Sequence, residues 1–273
     1  MTHATQNVMV PPASCREVRR LRAGAWSHAR DELAEEVPVA LEYNGISHAV
    51  MMATPTDLEQ FALGFSISEG IIESVREFYS VEIEENDSGI TARIAIASSA
   101  FAHLKERRRS MTGRTGCGLC GVDSLAQVLR PLPTLAPCRI SAAAIRRALA
   151  SVKVMQPLNR RTGATHAALW CNSTGSLQSS FEDVGRHNAL DKMIGEKARA
   201  GAGEAGSFAL ITSRASVEMV QKAATARIPA LVAMSAPTAL AARTAQDCGM
   251  TLIAFARGDD FVAYANASNI ALE

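Results

Sequence analysis

Residues 207–257 read SFALITSRASVEMVQKAATARIPALVAMSAPTALAARTAQDCGMTLIAFAR, and this stretch decides the fold. Three short apolar runs, at 207–212, 230–234 and 251–256, have the length and composition of buried strands. Between them, 217–226 and 238–248 carry apolar residues at helical spacing, and the second run stops at Gly249, the residue best suited to end a helix. Strands that alternate with helices of about ten residues predict a largely parallel sheet covered on both faces. Working backwards, 141–154 and 184–195 read as further helices and 167–171 as a further strand. The segment 138–273 is therefore expected to be a three-layer α/β/α sandwich.

The first half has a different rhythm. Apolar runs at 37–43 and 46–52 flank Asn44-Gly45, the strongest short-range hairpin signal. A helix follows from about 56, with Thr56 and Glu59 at capping-box spacing and Leu58, Phe61, Ala62 and Phe65 on one face. Strands at 80–85 and 90–97 surround the turn Asn86-Asp87-Ser88-Gly89. Two hairpins and a helix make a small α+β unit over 29–137. Residues 1–28 are polar and basic and read as a frayed or extended arm. Residues 105–121 (KERRRSMTGRTGCGLCG) read as a solvated, mobile loop; Asp123 caps a short helix through 130, and Pro131, Pro133 and Pro137 mark a linker. The fold class is thus α/β, with an α+β N-terminal unit.

The chain has 273 residues, 48% hydrophobic and 20% charged, with a net charge of +1. That is globular composition, and its neutrality argues against a protein that coats DNA or RNA through global charge. No apolar run approaches the roughly 20 residues that span a bilayer. The N-terminus has no secretory signal pattern, so a cytoplasmic location is expected.

Six cysteines are too few for a disulfide scaffold. Cys15 lies in the basic arm, and Cys138, Cys171 and Cys248 are isolated and read as buried, inert thiols. Cys117-Gly118-Leu119-Cys120 is the one pair. Half a zinc site would need a second ligand pair, and no other CxxC or CxxH exists, so no structural metal is expected. A thioredoxin-type redox pair normally follows an apolar strand, whereas a basic, glycine-bearing segment precedes this one. A third reading is a thiol that carries sulfur. Lys105, Arg107, Arg108, Arg109 and Arg114 favour thiolate over thiol, and a thiolate attacks sulfane sulfur.

Asp183, His187 and Asp191 recur at spacing four on a predicted helix, the pattern of a metal site, a general base or a surface ladder of ion pairs. Two strand-to-helix junctions, Thr212-Ser213-Arg214-Ala215-Ser216 and Ser235-Ala236-Pro237-Thr238, place hydroxyls and backbone N–H groups at helix starts, where anions bind. The same hydroxyls, at Ser216 and Ser235, also suit ordinary N-caps. In an open sheet such junctions line the ligand crevice, and Arg257-Gly258-Asp259-Asp260 falls at the same edge.

Together, RTGCGLCGV at 114–122, EDVGRHNALDKMIG at 182–195 and SRASVEMVQKAA at 213–224 resemble the formate dehydrogenase accessory sulfurtransferase family, as do SAPTALA at 235–241 and TLIAFARG at 251–258. The resemblance spans roughly 35–264. It implies a sulfurtransferase that takes persulfide sulfur from a cysteine desulfurase and passes it to the bis(molybdopterin guanine dinucleotide) cofactor before insertion into formate dehydrogenase. On that analogy Cys117 is the persulfide-bearing nucleophile and Cys120 its companion. The cofactor, or a guanine-nucleotide-type ligand, is held by Phe255, Ala256, Arg257, Gly258, Asp259 and Asp260, with Ser213, Arg214 and Ser235 alongside. The resemblance also implies a homodimer and a cytidine-deaminase-like C-terminal domain.

Zinc-deaminase chemistry is not expected, because Gly185-Arg186-His187-Asn188 and Ser235-Ala236-Pro237-Thr238 lack the metal-binding cysteine pair. Asp259 and Asp260 depart from a basic cofactor stretch; two carboxylates oppose a pyrophosphate unless they face the guanine edge. Two rival functions stay open at this point, a non-catalytic cofactor-binding chaperone and a dithiol oxidoreductase using the CxxC pair.

Overall fold

The computed structural model describes residues 10–112, 131–201 and 204–272. The chain opens with a hairpin, β1 (Ala13–Arg22) and β2 (Ala25–Ala34), joined through Ala23-Gly24, both with positive φ. Over residues 13–28 this replaces the frayed or extended arm expected for 1–28; residues 1–9 lie outside the described residues. Cross-strand pairing satisfies the backbone, and Arg161 clamps the base by donating to both Glu32 oxygens at 2.7 and 3.1 Å. Arginines interrupt the apolar alternation on both strands, which hides the pattern from sequence reading.

β3 (Val37–Tyr43) and β4 (Ile46–Ala53) form the predicted hairpin around Asn44-Gly45. Helix α1 (Leu58–Ser68) follows, then β5 (Phe78–Asn86), β6 (Gly89–Ile96) and helix α2 (Ser98–Thr112). The sheet order is β4-β3-β6-β5, with β3 and β6 parallel, so the two hairpins are joined at their inner strands. Val39, Leu41, Tyr43, Ile90, Ala92 and Ile94 pack against Leu58, Phe61, Ala62 and Phe65 of α1. Two expectations fail here. Residues 105–112 extend α2 and are not loop. The α1 N-cap is Asp57, in left-handed geometry with no side-chain hydrogen bond, so the Thr56–Glu59 capping box does not form. The backbone of Thr54 is already committed elsewhere, as shown below, and that fixes the entry to α1.

After an irregular stretch from Pro131 come β7 (Ile140–Ser141), α3 (Ala142–Val152), α4 (Pro157–Thr162), β8 (His166–Cys171), β9 (Leu177–Asp183) and α5 (Arg186–Ala200). The chain ends with β10 (Phe208–Ile211), α6 (Val217–Thr225), β11 (Ala230–Ala233), α7 (Ala239–Cys248), β12 (Thr251–Arg257), β13 (Asp260–Ala265) and β14 (Ile270–Ala271). The main sheet has six strands in the order β13-β12-β11-β10-β8-β9. Its two faces are covered as predicted: α5, α6 and α7 pack on one, α3 on the other.

The sheet is mixed rather than largely parallel. Only β10–β11 and β11–β12 pair in parallel; β8, β9 and β13 join antiparallel. The expectation failed because β9 and β13 were missed: LQSSFED and DFVAYA are half-polar edge strands with little apolar run to find.

The two sheets are joined where α1 crosses α5. A Cβ on Gly64 would lie 1.7 Å from the Asp191 carbonyl oxygen, and one on Gly195 would lie 2.0 Å from that of Gln60. Only glycine permits backbones this close.

Candidate functional site

The parallel strands β10, β11 and β12 deliver their C-terminal ends to one edge of the main sheet, and the loops that leave them are tied together. Met234 N–H donates to Ile211 O at 2.9 Å, Ala215 N–H to Ala236 O at 3.1 Å, and Thr238 N–H to Ala215 O at 3.0 Å. Phe255 N–H donates to Ser235 O at 3.1 Å, and Arg257 Nε to Met234 O at 3.2 Å. Ser213, Arg214, Ser235, Phe255, Ala256 and Arg257 are thus gathered along one sheet edge, the crevice edge of an open sheet. This is where open sheets bind ligands.

The capping alternative for the serines is not what forms. Thr238, not Ser235, caps α7, its Oγ1 accepting from Ala241 N–H at 3.2 Å. Ser216 occupies the N-cap position of α6, but its hydroxyl donates to Glu218 Oε2 at 3.1 Å. Ser213 is buried and donates to Arg214 O at 3.1 Å, which fixes the turn that leaves Arg214 exposed.

Phe255 is the most unusual residue of this edge. It sits at an irregularity in the β12–β13 register, with φ of 51° and a side chain 44% exposed. A left-handed phenylalanine costs about 1–2 kcal/mol. The Ser235 carbonyl holds its N–H, and its ring lies 6.4 Å from that of Tyr264. The irregularity leaves an aromatic side chain exposed two residues before Arg257. Gly258, with φ of 57°, makes the turn into β13; Asp259 uses its carbonyl to accept from Arg146 Nε at 3.2 Å, and Asp260 pairs across the strands with Arg257.

The N-terminus of α5 lies at the same edge, because β8 runs antiparallel to β10 and β9 antiparallel to β8, so β9 ends where β10 ends. Thr212 Oγ1 accepts from Ala167 N–H at 2.9 Å, beside His166. His187 Nε2 lies 3.3 Å from Glu218 Oε2, and Arg186 approaches the same carboxylate at 3.9 Å. Burial lowers the pKa of both His166 and His187, and the Arg186 charge lowers them further; at His187 the Glu218 carboxylate partly opposes this. Sequence reading missed His166 and Glu218 as members of this edge. A lone histidine starting one strand and a glutamate in a helix carry no spacing signal.

Asp183, His187 and Asp191 do not share a helix face, and neither aspartate is on the surface. Asp183 ends β9, fully buried, 2.7 Å from Lys192 Nζ; it also accepts from Thr54 N–H, Gly185 N–H and Asn188 Nδ2. Lys192 in turn donates to Thr54 O at 3.1 Å, and Val184 N–H donates to Thr54 Oγ1. Asp191 accepts from Ser68 Oγ at 2.6 Å and from Lys222 Nζ at 2.8 and 3.0 Å. Lys222 also meets Glu69 at 2.7 Å. Burial works against its charge, but the Asp191 and Glu69 carboxylates outweigh it, and the ammonium is held above its ordinary pKa. The aspartates therefore join the N-terminal unit to α5 and α6.

Cys138, Cys171 and Cys248 are buried, and burial raises each thiol, Cys171 to about 12. A thiol so raised is no nucleophile at neutral pH. Cys15 is exposed on the hairpin. Cys117 and Cys120 lie outside the described residues, as does the helix expected from Asp123. Among the described residues no group of three or more His, Cys, Asp and Glu side chains is placed to hold a metal ion, and no helix is long and apolar enough to cross a membrane.

Residues 34–271 match the model of the FdhD/NarQ family. Among curated proteins, the "Sulfur carrier protein FdhD" of Variovorax paradoxus strain S110 is 54% identical over 249 residues, covering 90% of this chain and 89% of that protein. The protein of the same name from Cupriavidus necator is 49% identical, covering 95% and 91%. Among solved structures, one described as a formate dehydrogenase accessory protein from Desulfotalea psychrophila aligns with a TM-score of 0.76 at 25% identity, over 96% of this chain and all of that one.

Proposed function

The chain belongs to the FdhD/NarQ family, and from that premise we propose that it is a sulfur carrier serving formate dehydrogenase, acting as a sulfurtransferase through a cysteine persulfide. Cys117 thiolate attacks the outer sulfur of a persulfide on a cysteine desulfurase. A new S–S bond forms, the donor's S–S bond breaks, and the donor cysteine leaves as thiolate. Cys120 thiolate then attacks Sγ of Cys117, expelling sulfide toward the acceptor and closing a Cys117–Cys120 disulfide. The two electrons that reduce the sulfane sulfur come from the cysteine pair, and an external thiol restores it.

The acceptor in this reading is the molybdenum bis(molybdopterin guanine dinucleotide) cofactor, bound as substrate before its insertion into formate dehydrogenase. The observation that carries the docking site is Phe255: an exposed aromatic face, forced outward at a backbone cost, between Ser235 and Arg257. The ring suits stacking against guanine, while Arg214 and Arg257 suit the pyrophosphates. In this reading Asp259 and Asp260, at the turn beyond Arg257, accept from the ring N–H donors of guanine rather than face phosphate. The cytidine-deaminase-like character of the C-terminal sandwich and a homodimeric state belong to the same proposal.

Intact-protein mass spectrometry after incubation with a cysteine desulfurase and cysteine tests the carrier. A sulfur-sized mass gain on the peptide containing Cys117 and Cys120, absent in Cys117→Ala, is the expected result. Persistence of the gain in Cys117→Ala would remove that residue from the role. GDP titration of the Phe255→Ala protein tests the docking site, with at least tenfold weaker binding expected and unchanged binding as the contrary outcome.

A further inference from the structure

At the opposite end of the main sheet, away from the crevice, a cavity of about 790 Å3 opens beneath the starts of β10 and β11. Its walls include Leu135, Cys138, Trp170 and Pro229, which are apolar, and its rim carries Arg139, Lys197, Arg227 and Glu204. Glu204 is already engaged: it accepts from both the N–H and the hydroxyl of Ser173, at 3.0 and 2.8 Å. Arg227 holds left-handed geometry at the end of α6, φ 57°, where glycine is the usual residue.

Lys197 is the informative side chain. Its ammonium donates to the Ala226 carbonyl at 3.3 Å and lies 5.4 Å from the centre of the Trp170 ring. Among the described residues no carboxylate pairs with it, in contrast to Lys192 and Lys222, each of which has one within 2.8 Å. Burial depresses its pKa, and no neighbouring charge offsets that. A cation held partly out of water without a counter-charge, facing a roomy cavity with two guanidinium groups on its rim, is an arrangement that an anion completes.

We propose that this cavity binds a small organic anion with an aromatic body. The ring lies against Trp170, Leu135 and Pro229, the anionic group meets Lys197, and Arg139 and Arg227 close the rim. The volume falls within the range of small-molecule sites, about 300–1,000 Å3. Three cations against the single Glu204 carboxylate on the rim, over apolar walls, favour an anion with an apolar body over neutral sugars or cations. This is a second ligand site, separated from the crevice by the length of the strands, and it does not depend on the sulfur-carrier reading.

A matched pair of probes tests it: 8-anilinonaphthalene-1-sulfonate and the uncharged N-phenyl-1-naphthylamine, which share an aromatic body but differ in the anion. The chain's two tryptophans are Trp26 and Trp170, so Trp26→Phe leaves Trp170 as sole reporter for quenching and energy transfer. One saturable site is expected, with the sulfonate bound at least tenfold more tightly than the neutral probe, as a charge-assisted contact allows. That preference should vanish in Lys197→Met and persist in Arg257→Ala, at the other sheet edge. Equal affinities, or a preference that survives in folded Lys197→Met, would overturn the proposal. Should Lys197→Met fail to fold by circular dichroism, Arg139→Ala, exposed at the rim, takes its place: a sulfonate preference it leaves intact counts against the site.

Discussion

Lys222→Met isolates what the buried ion pairs contribute. In the native chain Lys222 Nζ lies 2.8 and 3.0 Å from the two Asp191 oxygens, 3.0 Å from Ser68 Oγ and 2.7 Å from Glu69. Methionine keeps the length and shape of the aliphatic stem, so packing against Phe65 changes little. The charge does change. Asp191 is 1% exposed and keeps only Ser68, while Glu69, one-third exposed, can turn to water. An uncompensated buried carboxylate costs about 3–5 kcal/mol, a large share of the roughly 5–15 kcal/mol that keeps a domain folded. The urea midpoint at pH 8 should fall accordingly, with the slope unchanged. Asp191→Asn added to Lys222→Met should recover at least about 2 kcal/mol, because the charge is gone.

The pH dependence carries its own sign. Burial already raises the folded pKa of Asp191, with Lys222 and Ser68 partly opposing it; in Lys222→Met the cation is lost and that pKa climbs further above the unfolded value. Its contribution is therefore least unfavourable below the unfolded pKa, and the penalty grows as pH rises through the folded one. The variant should be closer to wild type at pH 5 than at pH 8. A loss below about 1 kcal/mol at pH 8, or no recovery in the double variant, would refute the assignment of these pairs as compensated buried charges.

Gly64→Ala places a Cβ 1.7 Å from the Asp191 carbonyl, so α1 and α5 must part by more than an ångström; a loss of about 3 kcal/mol or more is expected in chemical denaturation. His166 and His187 have depressed folded pKa values. Between those values and about 6.5 the unfolded chain binds more protons. Stability is therefore full above about pH 6.5 and declines as pH falls through the folded values; denaturation midpoints at pH 7.5 and 5.5 should show this, with a flatter profile in the His166→Gln, His187→Gln double variant. Iodoacetamide at pH 8 should label Cys15 in the native protein and spare Cys138, Cys171 and Cys248; native labelling of Cys171 would contradict its burial.

Much of the layered half was legible because its strands are continuous apolar runs and its helices end at recognisable residues such as Gly249. The edge strands β9 and β13 were not, since a half-solvated strand differs little from a loop in composition. The basic hairpin β1–β2 failed for a related reason: arginine at Arg16, Arg19, Arg20 and Arg22 conceals the alternation that pairing alone sustains. The junctions at 212–216 and 235–238 were legible as neighbours, because strand-to-helix junctions in a parallel sheet converge by topology. The roles of Asp183 and Asp191 were illegible. Their partners, Thr54, Ser68 and Lys222, are brought together only by the crossing of α1 on α5, and spacing within one helix says nothing of that.

The same crossing bears on how the crevice works. Thr54 holds Asp183, and Asp183 immediately precedes the turn that presents Arg186 and His187 at the crevice edge. The N-terminal unit thus sets the position of the α5 start. Opening a hinge between the two units would separate Asp183 and Asp191 from their anchors and break the glycine contacts at Gly64 and Gly195. With several kcal/mol attached to each buried charge, that motion is too costly to accompany every binding event. The edge is therefore preorganised, and in the proposed function the cofactor spends little of its binding energy on arranging it. In the proposed sulfur transfer, donor and acceptor then come to a scaffold whose two packed units stay fixed.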